Sequence, residues 1–111
     1  MPQPLIATEK ATEAAGIAIQ LATVVKAPLK SLADQLIRSA SSVPANLSEG
    51  HGRIGRDRAH FWRIAYGSAK EVDVHLRLLV SARAVDATHA EQVILSFDEV
   101  RAMTWRLLHP R

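Results

Sequence analysis

Arg53, Arg56, Arg58 and Arg63 fall within one short stretch, opposed by the single carboxylate of Asp57. The window His51 to Arg63 therefore carries 4 − 1 = +3, which equals the formal charge of the whole chain, so the remainder sums to zero. Guanidinium groups are planar forks of donors that match phosphate oxygens. Trp62 and Tyr66 follow closely as candidate surfaces on which bases stack. The chemistry this cluster points to is phosphate recognition, and copies arranged in a ring would repeat the patch and multiply the contacts. A solvated, partly salt-bridged helix end is the alternative reading of the same residues.

Other chemistry finds less support. The candidate nucleophiles, acids and bases are Ser48, Ser68, Glu49, Glu71, His51, His60 and His75. They form no Gly-x-Ser-x-Gly elbow, and Gly50, Gly52 and Gly55 do not follow a strand as a phosphate-binding loop would. Carboxylate-bridged metal sites in helical bundles use Glu-x-x-His pairs on facing helices. The nearest approaches, Asp57 to His60 and Asp86 to His89, stand at helix starts, where an acid caps the helix and meets its macrodipole. Glu71 and His75 have the wrong spacing. The chain has no cysteine, so disulfides, thiolate ligands and a cysteine nucleophile are excluded. We expect no enzyme activity, no catalytic residue, no metal and no cofactor.

The elements that must position the arginines are helical. Apolar residues make up 48% of the 111 residues, but aromatics only 5%, with five Gly and five Pro, a composition that favours helices over a sandwich of turns. From Thr8 to Lys26, Ala11, Ala14, Ala15, Ala18, Leu21, Ala22 and Val25 trace one helix face. Their small size lets neighbouring helices approach closely. Pro28 ends that segment. The second helix carries Leu32, Ala33, Leu36, Ile37, Ala40, Val43 and Leu47, with Ser31 as N-cap and Asp34 completing a near capping box. Pro44 should kink it, with Ser41 and Ser42 satisfying freed backbone groups. Gly50 and Gly52 should stop it in the left-handed conformation.

The third helix, about Asp57 to Arg83, has its stripe at Phe61, Ile64, Ala65, Ser68, Val72, Leu76 and Leu79, with Trp62, Tyr66, Ala69 and Val80 to one side. A helix apolar on more than one stripe has more than one packing partner, which suggests a second subunit. Asp86 or Thr88 begins the fourth helix, Thr88 with Glu91 making a capping box, and Ala90, Val93, Ile94, Phe97, Val100, Thr104 and Leu107 form its stripe. A polar stripe on the second helix, Gln35, Ser39, Ser42, Asn46 and Glu49, has a possible mate in Ser68, Glu71 and His75 on the third. These groups either bond between the helices and set their register, or line a ligand pocket. The glycines and serines around them fit close packing at a corner better than a cavity. The expected architecture is all-α, an antiparallel up-down-up-down four-helix bundle, as one domain over residues 1–111. The N-terminus lacks the pattern of a secretory signal, and no stretch reaches the roughly 18 apolar residues of a membrane span, so a cytoplasmic protein without membrane contact is expected.

From Gln35 to Glu71 the sequence resembles the four-helix-bundle proteins encoded in intervening sequences of bacterial large-subunit rRNA genes, and is similar to the accessory variability protein of diversity-generating retroelements. The residues that carry the resemblance are Gln35-Leu36, Arg38, Ser42, the run Pro44-Ala45-Asn46-Leu47-Ser48-Glu49-Gly50, Gly52-Arg53, Phe61, Ile64-Ala65, Gly67-Ser68 and Glu71. Of these, Arg38, Asn46, Glu49, Gly50, Ser68 and Glu71 stand as the structural motif. The resemblance implies an antiparallel bundle assembled into a ring-like homopentamer with a basic surface; for the retroelement relative it implies binding to nucleic acid and to a reverse transcriptase. The chain departs from the pattern at Ile54-Gly55, where a Ser or Thr cap is usual, so the cap is expected to pass to Asp57. The expected function is a non-enzymatic oligomeric bundle that binds structured RNA or DNA through Arg53, Arg56, Arg58 and Arg63. The alternative is an adaptor for a reverse transcriptase or another protein that does not itself touch nucleic acid.

Overall fold

Alanine at four-, three- and one-residue steps gives the first helix a flat face, and the larger side chains of the other three fill the space against it. The computed structural model describes residues 3–110, in four helices: α1 (Gln3–Thr23), α2 (Lys30–His51), α3 (Gly55–Ser81) and α4 (Ala87–Leu108). No strand occurs among the described residues. Helices consecutive in sequence pack side by side, and α1 closes onto α4. The core takes Ala7, Ala11, Ala14, Ala15, Ala18 and Ala22 from α1, all buried. Against them stand Leu36, Leu47, Leu76, Leu79 and Phe97, fully buried and the main source of apolar area removed from water. No described helix is long and apolar enough to cross a membrane.

The helix ends depart from the expectations. α1 begins at Gln3, five residues before Thr8, because Pro4 fits a first turn that needs no backbone donor. α2 is capped by Leu29, not Ser31, and the Ser31–Asp34 box does not form; Asp34 pairs instead with Lys30 at 3.5 Å. α2 continues through Pro44. Ser41 does not reach the carbonyl that Pro44 leaves without a donor: it donates to Ile37 O and Arg38 O, while Ser42 bonds across to Ser68. α4 is capped by Asp86, one of its two expected starts, and not by Thr88, and Asp86 Oδ2 accepts the His89 backbone N–H at 2.9 Å. That bond, above all, holds the Asp86 carboxyl below the usual carboxylate range.

α3 ends without glycine. Arg83 takes the left-handed conformation at φ 60°, Arg83 N–H donates to Val80 O, and Ala84 N–H donates to Leu79 O. This is a Schellman termination with an arginine where glycine is usual. A side chain there costs roughly 1–2 kcal/mol, partly offset by glycine's greater freedom when unfolded. Arg83→Gly is therefore expected to raise stability by about 1 kcal/mol in urea denaturation, and a loss of stability would refute the strain.

Candidate nucleic-acid interface

Three residues, Gly52 to Ile54, turn the chain from α2 into α3. The last carbonyls of a helix lack partners within it, and its C-terminus carries partial negative charge. Arg58 answers both needs: its Nε donates to Gly50 O and its Nη2 to His51 O, each at 3.1 Å. Its guanidinium also lies 5.3 Å from the centroid of the Trp62 ring. Trp62 is only 5% exposed, and its Nε1 donates to Leu47 O at 3.2 Å. A Cβ on Gly50 would fall 2.5 Å from two atoms of that indole and 3.1 Å from Arg58 O. Gly50 is thus a helical residue with an indole against its Cα, and Gly52, at φ −81°, is right-handed too. The left-handed glycine of the corner is Gly55, at φ 57°, preceded by Ile54 as the N-cap of α3. The cap does not pass to Asp57, which sits in the first turn, where an acid meets the positive helix end.

The four arginines consequently do different things. Arg58 is a strut. Arg53 is half-exposed and held by Glu49, with Nε at 3.0 Å and Nη2 at 2.9 Å, and by Asp57 at 3.8 Å, with its guanidinium 5.0 Å from the Phe61 centroid. Arg56 and Arg63 are exposed and make no ion pair among the described residues. Glu49 lies just outside the sequence window but belongs to the corner, so the local balance is 4 − 2 = +2. Arg106, from the last turn of α4, lines the same cavity of about 610 Å³ as Arg58, Trp62 and Leu108 and brings the end of the bundle back to +3.

The core face of α3 is rotated from the expected stripe: Trp62 and Ala69 are buried, while Phe61 is only half-buried and Ile64 is 38% exposed. The indole of Trp62 therefore fills the core and is no surface for a base. The polar stripes meet as a ladder between α2 and α3. Ser42 Oγ and Ser68 Oγ lie 2.8 Å apart, Asn46 Nδ2 donates to Ser42 O and Oγ, and Ser39 Oγ lies 3.1 Å from His75 Nδ1. Of the motif residues, Asn46, Gly50 and Ser68 thus serve helix packing and Glu49 holds Arg53. Arg38 and Glu71 line an open cavity of about 210 Å³ beside the ladder and pair with nothing among the described residues.

Reasoning from the cluster alone missed the cations that the tertiary structure adds. Arg56, Arg63, Lys70 and Arg77 recur every seven residues along α3 and are all exposed. Seven residues fall just short of two helical turns, so the four share one face, about 10 Å apart. That recurrence was the signal available in the sequence. Trp105, 49% exposed on α4, gave no such signal, because the groove it lines is completed by Tyr66 of α3.

The 23S rRNA-intervening sequence protein family matches the chain over residues 3–106. The fold is also that of a crystallised protein of unknown function from the S23 ribosomal protein family of Bacteroides thetaiotaomicron. The TM-score is 0.87 at 21% identity, over 96% of this chain and 98% of that one. No functionally curated protein matches. With nearly the whole length matched, the chain belongs to the 23S rRNA-intervening sequence protein family.

Proposed function

We propose that this protein is a non-enzymatic, cytoplasmic bundle that binds structured RNA or DNA through its arginine-rich end, with Arg56 and Arg63 as the principal phosphate contacts. The observation that carries this reading is their state: exposed, on one face of α3, and without ion pairs among the described residues. Arg53 adds a partly neutralised charge beside them, and Arg58 holds the corner that presents them. The same reading has the helices alternate in direction, as connections of three to six residues between helices of 21 to 27 residues favour. It also has copies assemble into a ring-like homo-oligomer, a pentamer by the family resemblance. Exposed Ile64, Val74 and Leu78 on α3 support that assembly, and light scattering that returned the mass of one chain would remove it.

The test is fluorescence anisotropy of a labelled RNA hairpin titrated with the protein at low and at physiological salt. Binding should weaken steeply as salt rises, because each phosphate neutralised releases condensed counterions. No binding at low salt, or a flat salt dependence of complex formation, would favour the protein adaptor instead.

A further inference from the structure

A second surface lies between α3 and α4, beside the corner, with which it shares Arg106. Its groove, about 470 Å³, is lined by Tyr66, Asp98, Arg101, Ala102, Trp105 and Arg106. The Trp105 indole stacks on the His109 ring, with centroids 4.1 Å apart and planes 22° apart, and His109 Nδ1 donates to the Trp105 carbonyl at 2.9 Å. One indole face is thereby fixed by a planar neighbour, while half of the residue stays open to solvent. Tyr66, across the groove, is flanked on the surface of α3 by Arg63 and Lys70, three and four residues away and therefore its neighbours on the helix.

The charge of this surface is one-sided. Among the lining residues Arg101 and Arg106 stand against one carboxylate, Asp98, which lies 3.3 Å from Arg101 Nη2, giving 2 − 1 = +1, and Arg63 and Lys70 beside Tyr66 on α3 raise the sum to +3. Arg63, Lys70 and Arg106 make no ion pair among the described residues. Farther along α3, Arg77 is paired with Asp73, and Glu91 and Asp98 also act on it. The free cations Arg56, Arg63 and Lys70 thus form a line of about 21 Å at 1.5 Å per residue.

We propose that the α3–α4 groove holds an unpaired stretch of RNA, with its backbone along Arg56, Arg63 and Lys70 and a base stacked on Trp105. This rests on the reading that the protein binds nucleic acid, and adds the class of strand and the residues that select it. A cationic line beside an exposed aromatic ring is the arrangement that binds single strands, because every base has a stacking face. A duplex keeps its bases inside and offers no face to Trp105. A peptide or helix would need an apolar pocket, and the groove has no aliphatic lining residue larger than Ala102.

The experiment titrates the full chain with a labelled 12-nucleotide single-stranded RNA and with the corresponding RNA duplex, following anisotropy and tryptophan emission. Trp62 is buried, so quenching by the single strand reports on Trp105. Trp105→Ala should weaken the single strand about tenfold and leave the duplex within about twofold. Trp105→Phe, which keeps a stacking ring and guards against a folding defect, should restore single-strand affinity while losing the quenching. A Trp105→Ala variant that binds the single strand as well as wild type, or loses both RNAs equally, overturns the inference and leaves the corner reading intact. Failure of the wild-type protein to bind either RNA overturns both.

Discussion

Replacing Gly50 by alanine should lower the stability of the bundle by about 3 kcal/mol, at the upper end of what overpacking a filled core costs. The added methyl would stand 2.5 Å from Cδ1 and Nε1 of the Trp62 indole, and Nε1 is held by its hydrogen bond to Leu47 O while Arg58 lies over the ring. A large, rigid ring cannot yield as a flexible side chain would. Relief requires either the loss of the Leu47 bond or the separation of α2 from α3. Gly67→Ala is the contrast: nothing lies within 4 Å of its Cβ position, and alanine in a helix interior is favoured by about 0.5–1 kcal/mol. Thermal melts of the two variants should therefore move in opposite directions, with Gly50→Ala falling by more than about 10 °C. Equal shifts would mean that the corner does not depend on this close approach.

Charge reversal should separate the arginines that hold the corner from those that face the ligand. Arg56→Glu with Arg63→Glu changes two exposed residues without ion pairs, so stability should stay within about 0.5 kcal/mol of wild type. RNA affinity at physiological salt should fall by about a hundredfold, and the salt slope should shrink by about one for each phosphate no longer neutralised. Arg58→Glu should do something else. It removes two charge-assisted hydrogen bonds to the end of α2, takes the cation away from the Trp62 ring, and points a carboxylate at carbonyls that already carry negative charge. That should cost at least about 2 kcal/mol in urea denaturation. Any loss of RNA binding in that variant should track unfolding. If the double reversal destabilised the chain as much as Arg58→Glu, or left RNA affinity unchanged, the division of labour among the four would be wrong.

The stripes of α1, α2 and α4, the later part of the α3 stripe and the polar stripe of α2 were legible in the sequence because they are local periodicities, and local periodicity decides which face of a helix avoids water. The start of the α3 stripe was misplaced, Trp62 and Ala69 being buried where Phe61 and Ile64 were expected. The ladder Ser42–Ser68 and Ser39–His75 followed from two such stripes of matching spacing. Helix ends were less legible: a cap depends on which backbone groups the neighbouring turn has already satisfied, so Leu29, Ile54 and Arg83 hold places that composition assigns to Ser, Asp or Gly. The roles of the arginines could not be read from spacing, since Arg53 and Arg58 differ from Arg56 and Arg63 only in what lies around them. Arg58 meets the last carbonyls of α2, Gly50 O and His51 O, and Arg53 meets Glu49 one turn before it and Asp57 one turn after. The groove at Trp105 is a product of tertiary structure alone. Tyr66 and Trp105 are 39 residues apart in the chain and share a surface only because α3 packs beside α4. Sequence by itself determined that this chain forms four helices with a concentration of positive charge at one corner. Packing decided which cations stay free to meet a ligand, because a charge is neutralised or left open by its neighbours in space.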